Sequence, residues 1–449
     1  MGIFLNNKIQ PREHVIKICE TFDNHGLKLS IIMNDYFLKN KVSKSKRPEI
    51  TFLVQEIMRK KNYLDFLINK TFKGDYFKSH SFLKNTLRLG SYEIIYRSHI
   101  PDFAVVNEAV AIIKKKLGKS PAGLVNAILR KIKNIDNGIN KSLSQKSSIN
   151  DLSIILSHPK WILKKWKNNF GWEKMISLCE WNNKIPDLTL RINTNKIDVD
   201  TFKNYLNKKN FLFKDSEILP EFLIIKNGSL LRNSSMFKEG FFSFQDISSG
   251  LISNLVDIKI KDSFIDACAA PGGKCSFLAE KTNSKLSIQA FDIDSNRIKL
   301  LHQTIDRLNI KSITISKKDA SCDSFPVSNK ILIDVPCTGT GVMSKRADLR
   351  WRRKPNHLNE MIEIQKKILN NMSKFIGIGG EIIYSTCSLE KEENWDIIDD
   401  FLSRTDKFKF ISSKNLVPSN FIDHRGALST FPSIHKIDGV FGVKLKRIL

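Results

Sequence analysis

The sequence predicts a multidomain chain: an all-α helical bundle, a small α+β linker module, and an α/β domain built on a mostly parallel sheet. Three observations predict it. Residues 8 to about 135 carry apolar residues at helical spacing and no strand pattern. Residues 135–150 (IDNGINKSLSQKSSIN) are polar, rich in Ser and Asn and without apolar periodicity, which reads as a linker. From about 245 the pattern becomes strand–loop–helix alternation, which places helices on both faces of a sheet. The expected domains are therefore 1–135, 151–240 and 241–449. A chain of 449 residues has room for two to four domains at roughly 100–200 residues each.

Each element has a local reason. Pro11 can open a helix through Val15, Ile16, Ile18 and Cys19, because the first turn needs no proline N–H. Arg47, Pro48 and Glu49 open another, with Phe52, Ile57 and Leu64 as its apolar positions. After Pro101, Phe103, Val106, Val110, Ile113 and Leu117 keep helical spacing until Gly118, and Pro121 begins AGLVNAILRKIK. The middle region predicts short helices at 161–170 and 199–208 and strands at 188–192 and 222–225. Beyond it, SFIDACAA is a strand, PGGK a glycine turn and 275–281 a helix. LSIQAFDI follows as a strand, then a helix over 295–308 and the strands SITISKKD and KILIDVP. A helix at 357–375 is expected to end at Gly377–Gly380, before the strand EIIYSTC, a helix at 391–404 and a last strand, VFGVKLKRI.

Composition narrows the class of function. With 41% apolar and 27% charged residues the chain is globular, and no apolar run approaches the roughly 18 residues of a membrane span. MGIFLNNKIQ has neither a basic region followed by an apolar run nor Ser or Thr at position 6, so neither secretion nor myristoylation is expected. Seven cysteines without a CxxC pair or zinc-finger spacing predict free thiols, a reducing cytoplasm and no metal site. The net charge of +27, more than half of it in residues 1–150, favours a polyanion, nucleic acid before membrane.

The chemistry-bearing residues all fall at carboxyl ends of predicted strands, where open α/β sheets bind ligands. Asp266 is followed by Ala267, Cys268, Ala269, Ala270, Pro271, Gly272, Gly273 and Lys274, a small-residue turn that lets a ligand approach the backbone ahead of a helix N-terminus. It lacks both the P-loop tail and GxGxxG. Asp292 sits at the tip of the next strand, about 20 residues on, where a carboxylate can hold ribose hydroxyls. Asp294 is read instead as a helix cap. Asp319 can accept from an adenine amino group, or be an ordinary turn aspartate. Two cysteines, Cys337 three residues after Asp334 and Cys387 in Ser-Thr-Cys-Ser, follow buried apolar strands. Either alone would read as a small buried hydrophobe. Two in the same edge position suggest a thiolate acting on an electron-poor pyrimidine.

Taken together, DACAAPGGK, FDID, DVPCTGTG and STCSLEKEEN resemble the bacterial ribosomal RNA (cytosine-5)-methyltransferases of the RsmB (Fmu/Sun) type. LRLGSYEIIYRSHIPDFAVVNEAVAIIKK with GLVNAILRKI looks like that family's N-terminal domain, similar to the RNA-binding antitermination factor NusB. SHPKWILKKW, LRINTNK, FFSFQDISSGL and DGVFGVKL match further segments. The resemblance implies a Rossmann-like catalytic domain with S-adenosylmethionine bound by residues 268–274, Asp292, Asp319 and Asp334. It also implies Cys387 as the thiolate attacking C6 of cytosine, Cys337 in product release, and Asp334 on the N3/N4 edge of the base. Val440 replaces an aromatic of DGFF, and Lys391 a common proline. The first should alter packing more than chemistry and the second the cap of a helix, and neither bears on the catalytic assignment.

Arg350, Trp351 and Arg353, with Arg346, Arg352 and Lys354, form a basic and aromatic cluster expected on a loop beside the target base, where it could contact phosphate and stack on bases. Trp351 could equally anchor a helix. The leading expectation is methylation of 16S ribosomal RNA, naked or in an assembly intermediate, by a monomer. The same reaction on tRNA, and a catalytically silent RNA-binding assembly factor, remain as alternatives. A nucleotide-dependent oxidoreductase would explain neither thiol.

Overall fold

The computed structural model describes residues 11–142, 148–226 and 228–449. The N-terminal MGIFLNNKIQ lies outside them, as do residues 143–147 of the expected linker. Two compact units emerge: residues up to Ile185 together with Met343–Arg353, and Pro186–Val342 together with Lys354–Leu449.

The described part of the first unit is helical, with long helices at Pro11–His25, Arg47–Asn69, Ser81–Tyr96, Asp102–Leu117 and Lys119–Ser142. Their apolar stripes make one core that includes Val15, Ile57, Leu87, Ile113 and Ile132. A polar knot sits within it: buried Arg88 donates to both oxygens of Asp65 at 2.6 and 2.8 Å, and Tyr76 donates to Asp65 at 2.6 Å. The expected linker is corrected here, because the last long helix runs to Ser142. Buried Ile132 and the 2.6 Å bond from Tyr63 to Asp136 hold this helix, while its polar solvent-side residues imitate linker composition. Ser148 then starts the helix Ile149–Ile155 with a reciprocal capping box to Asp151.

The second unit holds two sheets. The smaller comprises β1 (Leu188–Ile192), β2 (Phe213–Asp215), β3 (Phe222–Ile225) and β4 (Phe242–Phe244), antiparallel in the order β2-β3-β1-β4. Because β4 pairs with β1, the module reaches past the boundary expected at 240. The larger sheet comprises β5 (Phe264–Asp266), β6 (Ile288–Asp292), β7 (Ile313–Lys317), β8 (Ser328–Asp334), β9 (Ile376–Thr386), β10 (Phe408–Ile411), β11 (Leu428–Ser429) and β12 (Phe441–Arg447). Its order is β10-β12-β9-β8-β5-β6-β7, with β11 on β12. β5 to β9 pair parallel, and β12 is antiparallel to its neighbours. Alternate residues of one strand enter opposite cores: Ile331 and Ile333 on one face, Leu332 on the other.

Chain order reverses at β5, which is flanked by β8 and β6, so the crevice of a doubly wound sheet opens at its carboxyl end. The glycines expected to stop a helix instead lie inside β9. A side chain at Gly380 would bring a Cβ within 2.9 Å of the Asn329 carbonyl, where the register of β8 against β9 shifts. The expected helix at 391–404 divides into a 3₁₀ turn, Lys391–Glu393, and a helix, Trp395–Ser403. Among the described residues no helix is long and apolar enough to cross a membrane.

Candidate active site

The glycine turn joins β5 to the helix Gly273–Lys281. Gly272 has φ +101°, and a Cβ there would stand 2.7 Å from Leu301, so only glycine fits. From the smaller sheet, fully buried Arg191 donates to the Gly273 carbonyl at 2.8 Å, to Glu280 at 2.7 Å and to Ser276 at 3.1 Å, and so ties down the start of that helix. The turn is braced on its other side by Asp292, the last residue of β6, which accepts from the Ala270 amide at 3.2 Å.

Asp292 also accepts from the Asp294 amide at 3.0 Å and pairs with Arg297 at 3.2 Å. These bonds occupy three of its roughly four acceptor positions. Sequence reasoning missed Arg297. Its place in the first turn after the cap, pointing back over that turn, was the available signal. Asp294 caps that helix as expected, accepting from the amides of Asn296 and Arg297. Asp319, two residues beyond β7, is half-buried. Burial opposes its ionisation, but bonds from the Ser321 hydroxyl at 2.7 Å and amide at 2.8 Å prevail and lower its pKa. Asp266 is fully buried with one oxygen unpartnered. Burial pushes its pKa up to about 7, against the pull of Lys274. An unpartnered buried acceptor, a turn that admits only glycine, and carboxylates on the two next strand ends fit a nucleoside carrying hydroxyl and amino donors.

The neighbouring tips, β8 and β9, carry the sulfurs. Asp334 ends β8 and is paired in register with Ser385 of β9. Its carboxylate accepts from Lys274 Nζ at 2.6 Å and from Ser385 Oγ at 2.9 Å. Burial works against the Lys274 ammonium. Asp334, Asp266 and Cys387 outweigh it, and the lysine stays charged. Cys337 and Cys387, fifty residues apart in sequence, stand with their sulfurs 3.2 Å apart. The hydrogen bond to Cys387, then burial, pushes the Cys337 thiol well above the usual range and favours its neutral form.

The basic cluster does not lie where expected. Arg350 is fully buried within the first unit, and its pKa is pushed down to about 9 by burial and by neighbouring Arg59. It donates to the carbonyls of Arg59 and Ser157 at 3.2 Å and of Asn182 at 3.0 Å, and to the Asn183 side chain at 2.8 Å. Trp351 packs on the helical core and donates to the Met58 carbonyl at 2.6 Å. The surface-loop reading of both is corrected: donors committed to buried carbonyls are not available to phosphate. Arg353 is half-buried, and Arg346 and Lys354 are exposed.

The sheet and its glycine turn, with the family matches that follow, place the chain among S-adenosylmethionine-dependent methyltransferases. The description 16S rRNA methyltransferase RsmB/F matches residues 254–446, the NusB family 9–134, and the ferredoxin-like domain of RsmF/B-like methyltransferases 158–230. A probable ribosomal RNA small subunit methyltransferase B of Synechocystis is 30% identical, over 98% of this chain and 100% of its own length. Its counterpart in Bacillus subtilis is 28% identical over 93% and 94%. A crystal structure named PH0851 superposes with a TM-score of 0.80 at 26% identity, covering 98% of this chain and 99% of that one. The chain belongs to the RsmB/F methyltransferase family.

Proposed function

We propose that the protein transfers a methyl group to C5 of a cytosine in 16S ribosomal RNA, with Cys387 as the attacking thiolate and Cys337 as the thiol that assists release. The observation that carries this reading is the 3.2 Å approach of two sulfurs just past the tips of β8 and β9, where Asp334 ends β8. C5 of cytosine is a poor nucleophile. A Cys387–C6 bond converts the ring into an enamine, whose C5 can take a methyl group. Bound S-adenosylmethionine supplies that methyl on an electron-poor sulfonium. Loss of the C5 proton to a base re-forms the 5,6 double bond and breaks the bond to sulfur.

Each neighbour has a part in the sequence. Asp334, oriented by Lys274 and Ser385, accepts from the N3/N4 edge of the base and favours protonation at N3 during attack. Cys337, neutral and hydrogen-bonded to the departing sulfur, stabilises it as it leaves. Residues 268–274, with Asp292, Asp319 and Asp334, would hold the cofactor. The base must be unstacked before C6 is accessible. The charge of +27 and the exposed Arg346 and Lys354, with Arg353, suit a phosphate backbone. We assign the activity to a monomer in the cytoplasm.

Cys387→Ala is expected to abolish transfer of labelled methyl to RNA while leaving cofactor affinity near wild type, and full residual transfer would refute the assignment. Bisulfite sequencing of ribosomal RNA and tRNA from cells with and without the protein separates the two RNA substrates. No change in either would favour a silent assembly factor.

A further inference from the structure

Thr338 follows Cys337, and Ser388 follows Cys387. Both side chains turn inward to one carboxylate, that of fully buried Glu393. Its Oε1 accepts from the Thr338 amide at 2.8 Å and from Gln365 Nε2 at 2.9 Å. Its Oε2 accepts from the Thr338 and Ser388 hydroxyls, which stand 3.1 Å from each other. Gln365 also donates to the carbonyl of Pro336 at 2.9 Å, so the residues on both sides of Cys337 are held. Asn394 completes the other side: it accepts from Thr386 Oγ1 at 2.6 Å and donates to the Ser388 carbonyl at 2.9 Å, spanning Cys387.

Four donors converge on the two oxygens of Glu393. Burying a carboxyl group is costly unless its oxygens find donors, and at Glu393 the donors come from three separate chain segments. A carboxylate that merely ended the turn Lys391–Glu393 would need donors from its own segment alone. Three of the four it has belong to the residues next to the two thiols, and the fourth comes from Gln365, which also holds Pro336. Reaction geometry tolerates little drift, since a misplacement of about 1 Å can cost roughly 10²-fold in rate.

We propose that Glu393 is a positioning residue that couples the Cys337 and Cys387 loops, so that both sulfurs address one base. The inference rests on the two-thiol reading. Its test uses the full-length protein with RNA containing the target cytosine, in single-turnover and steady-state experiments. Thr338→Val unties the Cys337 loop. Methyl transfer in the first turnover should survive, while covalent protein–RNA adduct accumulates about tenfold over wild type and kcat falls with KM little changed. Ser388→Ala unties the Cys387 loop and should slow adduct formation about tenfold without accumulation. Glu393→Gln, which keeps the volume but sets an amide against donors, should impair both steps. If that variant does not fold, the two single-loop variants carry the test. Identical effects of Thr338→Val and Ser388→Ala on both steps, in proportion to lost thermal stability, would overturn the coupling. So would wild-type kcat in folded Glu393→Gln. A wild-type protein that puts no label on cytosine C5 would instead sink the underlying reading.

Discussion

Asp334–Cys337 and Met343–Arg353 are separated by a few residues of chain, and both mix buried charge with polar partners, yet they do opposite things. At the tips of β8 and β9, side chains meet side chains: Lys274 with Asp334, Ser385 with Asp334, Cys337 with Cys387. Asp334 keeps a third of its side-chain surface exposed (34%), so its carboxylate stays within reach of solvent. Arg350 gives its donors mainly to backbone carbonyls and has no exposed surface. A charged group satisfied by side chains at a strand end can react or bind. One satisfied by main chain in a core is an anchor, whatever its residue type suggests.

The contrast can be broken or sharpened by mutation. The largest effect is expected at the sulfurs: Cys337→Ala should trap a covalent protein–RNA adduct, visible as a slow gel band. A band that persists in the Cys337/Cys387 double mutant would show that the adduct does not pass through these thiols. Next comes the anchor. Arg350→Ala takes a donor from each of four buried or half-buried acceptors, at about 1–3 kcal/mol for each left unmet, so calorimetry should show a large fall in the melting temperature. A fall of only a degree or two would return Arg350 to the surface reading.

Asp266 tests the quieter edge of the site. Its folded pKa of about 7 lies above that of an unfolded aspartate, so the stability from its neutral form is complete below about pH 4 and is lost as pH rises towards 7. Asp266→Asn keeps the neutral state at every pH. The urea midpoint of the variant should therefore gain on wild type between pH 4 and 7 and level off above, whereas a constant gap would mean that Asp266 is ionised throughout.

Much of the site was legible in the chain because strand tips advertise themselves. An apolar run followed by small residues, an acid or a cysteine marks where a parallel strand ends, and in a doubly wound sheet those ends are neighbours. Gly272, Asp292, Asp334, Cys337 and Cys387 could be placed at or just past strand ends that way. The helical bundle was legible from its 3.6-residue period. Its last helix was not, since Lys133, Asn134 and Asn137 show solvent a polar face that composition alone cannot tell from a linker. β4, β10 and β11 are two to four residues long, too short for alternation to register.

Local sequence determined which residues could carry the chemistry: period, turn residues and strand ends follow from backbone sterics and burial within a few residues of each position. Only the tertiary structure decided which of them meet. That two sulfurs fifty residues apart touch, that Glu393 gathers the residues beside both, and that Arg350 disappears into a core all depend on strand order and long-range packing. Those contacts form between segments distant in the chain, and no local preference encodes them.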